Sequence, residues 1–388
     1  MLAGLEQRAG LFRRMRWWAG LVVLFSAPAV QVAPPGVWVA RAQGTASGDR
    51  NQRLRDERQS DADLIERTHR EEGEAILAIA DAAMAGKQTP TDFALVWQND
   101  FVKAQRGTFV PFTLTIDSAK LSKQAALVYV RATRRGQERI GRDRKQPVAY
   151  PVDAIFPVEL PREGAVPARI SRGFTVEPGD YDVFVVMRER IEPGASRPRP
   201  KAAAIRQTLV VPEFGSTDLT TSSLMVADRL TTLTEAVPTD RLAERPYAIG
   251  LNEITPAADR NFRRDEELIV VFLVYNPMVT SERQFDLKVE YHFFRQVGPG
   301  AQKGMEGGAR PPVTPRPGEM YFNRTEPQRF NPALMGSAFD PRSGEPVMAG
   351  QVVPLSGFES GQYRLDVQVT DLLSGKSVSR DVSFTVGS

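Results

Sequence analysis

Two stretches of the sequence share one pattern, and that pattern decides the fold. The first is EPGDYDVFVVM, residues 177–187, and the second is ESGQYRLDVQV, residues 359–369. Each begins with a glycine-containing turn, places a tyrosine two residues after the glycine, and continues as a run of residues typical of a β-strand. A repeat of this kind predicts two β domains of similar plan.

The sequence around the two copies extends the correspondence. Each copy is followed by a return strand, RQTLVV at 206–211 and RDVSFTV at 380–386, and GTFVPFTLTI at 107–116 resembles DEELIVVFLV at 265–274. Short apolar runs separated by Pro and Gly turns are typical of β-sandwiches. We therefore expect a mainly β chain with two tandem Ig-like or fibronectin-like β-sandwich domains. The predicted segments are a first domain at 91–212, a mildly apolar connector at 213–244 that can add an edge strand to one sheet, and a second domain at 245–388.

The tyrosines of the repeat, Tyr181 and Tyr363, are predicted to be structural. The preceding glycine permits a tight corner, and the tyrosine can bury its ring while its hydroxyl caps a nearby backbone group. Because the same motif occurs in the same strand context in both predicted domains, a role in ligand binding is the weaker interpretation.

The amino terminus has the pattern of an export signal. Four arginines precede an uncharged apolar run from Trp17 to Val30, and Ala40-Arg41-Ala42 has the small-x-small form of a cleavage site before Gln43. The apolar run is short for a membrane span of about 20 residues. We therefore expect residues 1–42 to be a signal peptide cleaved near Ala42, which gives a periplasmic or secreted protein with no membrane span after cleavage. The alternative is an uncleaved anchor.

Removal of this segment changes the charge of the protein. The full chain has a formal net charge of +3, but residues 1–42 contain five Arg and one Glu, which leaves 45 basic and 46 acidic residues. A basic surface for nucleic acid is therefore not expected, and no nucleic-acid partner is predicted. The sequence has no Cys, which excludes disulfides, thiol nucleophiles and a lipid-anchored N-terminal cysteine.

Two further segments are predicted from composition. Residues 43–90 are expected to form a polar linker followed by a short helix that starts near Ser60 and ends before Gly86, since apolar residues recur there at helical spacing. Residues 297–319 are rich in Gly and Pro and are expected to form a long loop within the second domain.

The residues that usually carry catalysis or metal binding are scarce. The sequence has two histidines, of which His69 is expected to be solvated. His292 is expected to share a strand face with Glu290, without a further ligand or nucleophile beside them. We predict no catalytic residue, no metal site and no cofactor, and the protein is not expected to be an enzyme. A pair of carboxylates across a cleft is the enzymatic alternative that the sequence leaves open.

The segment Pro354–Val386 resembles the closing hairpin of exported bacterial Ig-like proteins of unknown function. It is similar to the domains that accompany the GWxTD and acidobacterial-type VWFA-related groups, with a weaker similarity over residues 97–116. The resemblance implies a fold more than a function. The counterpart of the GWxTD motif, Val96–Asp100, lacks the Gly and the Thr, and the metal-site motif Asp-x-Ser-x-Ser is absent.

These observations predict a non-catalytic binding or scaffolding protein of the cell envelope or extracellular space. The expected partner is a protein, recognised through sandwich loops and sheet edges. The alternative is a carbohydrate or cell-wall binding module, either alone or associated with hydrolysis, because exported sandwiches commonly present aromatic residues to sugars. The candidate ligand-binding aromatics are Trp97, Tyr321 and Phe322.

Overall fold

The chain is mainly β. The computed structural model of the protein describes residues 48–136, 149–160, 167–191, 199–215, 217–298, 313–336 and 339–387. Within these ranges it has twenty strands and two helices, α1 (Gly48–Met84) and α2 (Pro332–Met335). This confirms the prediction of a mainly β chain. None of the helices described combines the length and apolar character needed to cross a membrane.

Eight strands lie between α1 and residue 211. They are β1 (Leu95–Asn99), β2 (Val102–Lys103), β3 (Thr108–Ile116), β4 (Ala125–Arg134), β5 (Val152–Glu159), β6 (Ala168–Val176), β7 (Gly179–Glu189) and β8 (Ala202–Val211). They form two sheets, one in the order β5-β4-β7-β8 and one in which β3 pairs with β1 and β2 on one side and with β6 on the other. We refer to them together as the N-terminal sheet pair.

Twelve strands follow in the rest of the described chain. They are β9 (Thr220–Thr221), β10 (Met225–Thr232), β11 (Ala248–Ile249), β12 (Asn252–Pro256), β13 (Asn261–Phe262), β14 (Glu267–Tyr275), β15 (Leu287–Gln296), β16 (Glu319–Arg324), β17 (Gln328–Phe330), β18 (Val347–Pro354), β19 (Gly361–Asp371) and β20 (Ser377–Val386). One sheet has the order β11-β12-β10-β14-β18 and the other β13-β20-β19-β15-β16. These two sheets are the C-terminal sheet pair.

Each sheet pair encloses its own apolar core. In the N-terminal pair, Phe112 and Leu114 of β3 belong to the same buried cluster as Val183 and Val185 of β7. In the C-terminal pair, strands β14, β15, β18, β19 and β20 all contribute to another cluster. Fully burying one such side chain stabilises the fold by about 1.5–3 kcal/mol, so these two cores are the main source of stability.

Helix α1 covers the outer face of β4 and β7. Ile76 and Ala80 are fully buried against Leu127, Tyr129 and Val186 on that face. Because β7 is covered on both sides, VFVVM at 183–187 is a continuous apolar run, whereas the matching strand β19 alternates as LDVQV at 365–369. The helix therefore explains why the two copies of the repeat differ.

The prediction of a short helix starting near Ser60 is wrong. Helix α1 begins at Gly48 and has 37 residues, which corresponds to about 55 Å at 1.5 Å per residue. Residues 48–59 include four Arg and two Gln, which have high helix propensity. Asp49 and Arg53 also have the opposite charges at i and i+4 that favour a helix. The prediction of a linker here rested on the low apolar content of the stretch and left out helix propensity.

The predicted connector at 213–244 forms part of a sheet, and not only at its edge. It contains β9 and β10, and β10 lies between β12 and β14 inside a sheet, where Val226 pairs with Val270. The C-terminal sheet pair therefore starts at Thr220 rather than at residue 245. The predicted signal peptide at 1–42 and residues 299–312 of the predicted loop lie outside the described residues.

Candidate functional site

The two repeat tyrosines occupy equivalent corners in the two sheet pairs. The Tyr181 hydroxyl donates to the backbone carbonyl of Glu177 at 2.8 Å, and the Tyr363 hydroxyl donates to that of Glu359 at 2.8 Å. Both rings are buried. The glycine two residues earlier has φ 141° in the first copy and φ 157° in the second, a conformation that residues with a side chain rarely adopt. Burial raises the pKa of both phenols, so they remain donors at neutral pH.

Trp97 lies against the core of the N-terminal sheet pair. Its ring stacks on Phe112 with centroids 4.2 Å apart, and its Nε1–H donates to Asn99 Oδ1 at 2.9 Å. One face of the indole is therefore occupied by a buried phenylalanine, and its one polar atom is already hydrogen-bonded.

Tyr321 and Phe322 lie on opposite faces of β16. Phe322 packs into the C-terminal core, with its ring centroid 4.8 Å from that of Phe358. Tyr321 faces the other way, where its hydroxyl lies 3.4 Å from His292 Nδ1. Neither residue belongs to the sheet pair that contains Trp97, so the structure does not bring the three candidate aromatics together into one platform.

His69 is exposed on α1, whereas His292 is buried on β15. Burial is the first cause that lowers the pKa of His292, opposed by the charges of Glu290 and Asp366. A neutral imidazole that is about 1% exposed has poor access to a substrate. Within the described residues, no group of three His, Asp or Glu side chains has the arrangement of a metal site.

A buried charge cluster that the sequence analysis missed lies beside His292. Arg364 and Glu319 are about 2% and 3% exposed and form a bidentate pair, with both N···O distances 2.7 Å. Arg364 Nη1 also donates to Asp366 Oδ2 at 2.8 Å. The arginine lowers the pKa of Glu319, whereas burial raises that of Asp366. The sequence gives little hint of this cluster, because β19 alternates apolar and polar residues and Arg364 stands at a polar position.

This charge cluster has the features of a structural element. The guanidinium of Arg364 is paired with two carboxylates and lies over the Phe294 ring at 4.3 Å. An arginine held on all sides has few donors left for a ligand. The arrangement joins β16 to β19 through side chains across the sheet.

The outer edge of β18 differs from the other long sheet edges of the described residues in having no charged residue. All eight residues of β18 pair with β14 on one side, and among the described strands none pairs with it on the other. The strand reads VMAGQVVP and contains no charged residue. The other edge strands of six or more residues, β5, β6, β8 and β16, each contain at least one charged residue. Charged side chains on an edge strand discourage pairing with another chain.

The side chains of β18 alternate between core and surface. Val347, Ala349 and Val353 are buried in the C-terminal core, whereas Val352 is 48% exposed. Near the middle of the edge, Gln328 Nε2 donates to the Gly350 carbonyl at 2.9 Å. The side chains on one face of β18 are thus buried in the core, whereas those on the other face are uncharged and partly exposed.

Comparison with known proteins adds little. No family model matches the chain, and no curated protein matches it. A solved structure of Escherichia coli alpha-2-macroglobulin activated by porcine elastase is similar to it over 77% of this chain and 24% of that chain. The sequence identity is 12% and the TM-score is 0.19. This chain therefore spans about a quarter of that protein, and a similarity of this size assigns neither fold nor function.

Proposed function

We propose that the protein is an exported, non-catalytic binding or scaffolding protein of the cell envelope or extracellular space that captures a protein partner by strand addition at β18. The observation that carries this proposal is the uncharged eight-residue edge of β18 in a molecule whose other long edge strands carry charges. The Gln328 side chain occupies the Gly350 carbonyl on this edge, and the backbone groups on either side of it are a template for a strand from another chain.

The chemistry of the edge defines the kind of partner. In strand addition, backbone hydrogen bonds supply affinity and side chains at alternate positions supply specificity. Met348 and Val352 lie on the outer face of β18, next to the partly buried Ile269 of β14. We therefore expect an extended segment with apolar residues at alternate positions and without charges opposite this patch.

The proposal includes a domain plan and a location. We assign the two sheet pairs to two tandem Ig-like sandwiches, because each has a tyrosine corner followed by a long hairpin, β7–β8 in the first and β19–β20 in the second. Export rests on the basic and apolar pattern of residues 1–42. Mass spectrometry of the protein from its native cells tests it: the expected amino terminus is Gln43, and an intact Met1 would contradict cleavage.

Carbohydrate binding has no structural observation in its favour. Trp97 is stacked on Phe112, and Tyr321 and Phe322 point to opposite faces of one strand. Sugar-binding platforms need aromatic faces that are exposed together. We therefore propose no second function.

The test is site-specific photo-crosslinking in the cell envelope fraction. A photoreactive residue replaces Val352 on β18 in one variant and Val210 on β8 in the matched control, which is 70% exposed on a charged edge strand. We expect a defined protein adduct from position 352 and none from position 210. Equal adducts from both positions, or recovery of polysaccharide alone from position 352, would contradict the proposal.

A further inference from the structure

The segment Asn99–Lys103 connects the two sheet pairs through hydrogen bonds from its backbone to backbone and side-chain groups of the C-terminal pair. The Phe101 N–H donates to Ser223 Oγ at 2.9 Å, and the Ser223 N–H donates to the Phe101 carbonyl at 3.0 Å. The Lys103 N–H donates to the Tyr275 hydroxyl at 3.1 Å. We call this set of contacts, together with the side chain of Asp100, the seam.

A buried carboxyl lies at the centre of the seam. The Asp100 side chain is about 9% exposed, and the Tyr247 hydroxyl donates to its Oδ2 at 3.2 Å. Tyr247 is itself buried in an apolar cluster on the outer face of β10 and β14, with Met225, Ala227 and Val271. Asp100 belongs to the N-terminal sheet pair and Tyr247 to the C-terminal one, so their hydrogen bond crosses the seam.

The charges around Asp100 do not compensate an ionised carboxylate. The charge of Arg260 lowers the pKa of Asp100, but it is a smaller cause than the Tyr247 hydrogen bond. The nearby Lys103 Nζ donates to Asn276 Oδ1 at 2.9 Å instead. Burial is the dominant cause that raises the pKa of Asp100 to about 7, opposed by the Tyr247 hydrogen bond and then by Arg260. The pKa of Tyr247 is raised well above its usual value by burial and by Asp100, so the phenol stays protonated.

We propose that the seam is a pH-controlled contact, closed while the Asp100 carboxyl carries its proton and loosened once that carboxyl ionises. A single hydrogen bond from Tyr247 does not offset the cost of burying a charged carboxylate in an apolar site, and opening the seam returns the carboxylate to water. The proposal concerns the contact between the sheet pairs and does not depend on the identity of any partner.

The direction of the pH effect follows from proton binding. The pKa of Asp100 is higher in the closed seam than the ordinary value of 3.8 that it regains when exposed. The closed form therefore binds the proton more tightly and is favoured at low pH. Between about pH 4 and 7 the opening equilibrium constant rises about tenfold per pH unit, and above about pH 7 it levels off.

Hydrogen exchange of the full chain tests the proposal. Protection factors of the Phe101, Lys103 and Ser223 amides, corrected for the intrinsic pH dependence of exchange, are measured between pH 5 and 8. We expect a fall of about fiftyfold from pH 5 to 7, and a constant value for Val128 in β4. In Asp100→Asn, which keeps the shape without the charge, the three amides should keep pH-independent protection.

A second variant keeps the proposal falsifiable if Asp100→Asn does not fold. Tyr247→Phe removes the hydrogen bond that lowers the pKa of Asp100, so the fall in protection should continue to higher pH than in the wild type. Wild-type protection that does not change with pH would overturn the proposal. An unchanged profile in Tyr247→Phe, or the wild-type profile in Asp100→Asn, would overturn it as well.

Discussion

At the scale of single residues, each sheet pair has its own tyrosine whose hydroxyl donates to the backbone carbonyl four residues upstream. In Tyr363→Phe the Glu359 carbonyl loses its donor, and we expect the free energy of unfolding in urea to fall by about 1 kcal/mol. Tyr181→Phe should behave alike. Tyr321→Phe is the control, because its 3.4 Å contact with His292 is long. An equal loss in the control would contradict the special role of the corners.

The buried pair of Glu319 and Arg364 makes a second prediction at this scale. In Glu319→Ala the arginine remains buried and loses its bidentate partner, so the free energy of unfolding should fall by about 3–5 kcal/mol. The double variant Glu319→Leu with Arg364→Met removes both charges and should recover much of that loss. Asp381→Ala, which breaks an exposed pair with Arg316, should cost at most about 1 kcal/mol. A double variant as unstable as Glu319→Ala would contradict this account.

At the scale of elements, α1 is held on its sheet by apolar packing and by one buried carboxylate. Glu72 is about 1% exposed, accepts from the Ile191 N–H and lies 3.2 Å from Arg190 Nη2. Glu72→Ala leaves these donors unpaired, and we expect it to reduce the free energy of unfolding by about 3 kcal/mol. The matched control on the same helix is Glu74→Ala, an exposed position, which should stay within about 0.5 kcal/mol. Equal losses would show that the carboxylate does not hold the helix.

Local sequence patterns predicted some elements well and others poorly. The Gly-x-Tyr motif involves only a few adjacent residues, and it identified Tyr181 and Tyr363 as structural residues. The mainly β content also followed from short-range alternation. The position of β10 inside a sheet depends on pairing with β14, more than 30 residues away in the sequence. The charge pair of Arg364 with Glu319 likewise depends on distant residues. Alternation along one segment carries no information about such partners.

For the proposed binding edge, the sequence predicts the kind of surface but not its location. Recognition through sheet edges was expected, and the charge-free composition of VMAGQVVP at 347–354 is visible in the sequence. Whether a strand lies at an edge or inside a sheet is decided by the topology of the whole sheet. The predicted loop at 297–319 extends one residue too far, since Glu319 begins β16 and holds the buried Arg364.

At the scale of the whole molecule, the two sheet pairs carry different surface features. The N-terminal pair carries α1 on its outer face, and the C-terminal pair presents β18. The seam around Asp100 joins them through hydrogen bonds, and the apolar cluster that contains Tyr247 lies on the C-terminal side of the seam. The same cluster packs against Met348 of β18, so the proposed pH-controlled contact and the proposed binding edge are neighbours.

The most direct test of the central claim is the dissociation constant of the crosslinked partner for three purified chains: wild type, Val352→Lys and Val210→Lys. Both substitutions place a charge at an exposed position of an edge strand, so both should fold normally. Strand addition at β18 predicts that Val352→Lys weakens binding at least about tenfold, because a lysine on the edge opposes pairing, while Val210→Lys binds like the wild type. Unchanged binding by Val352→Lys, or equal weakening by both variants, would contradict the account.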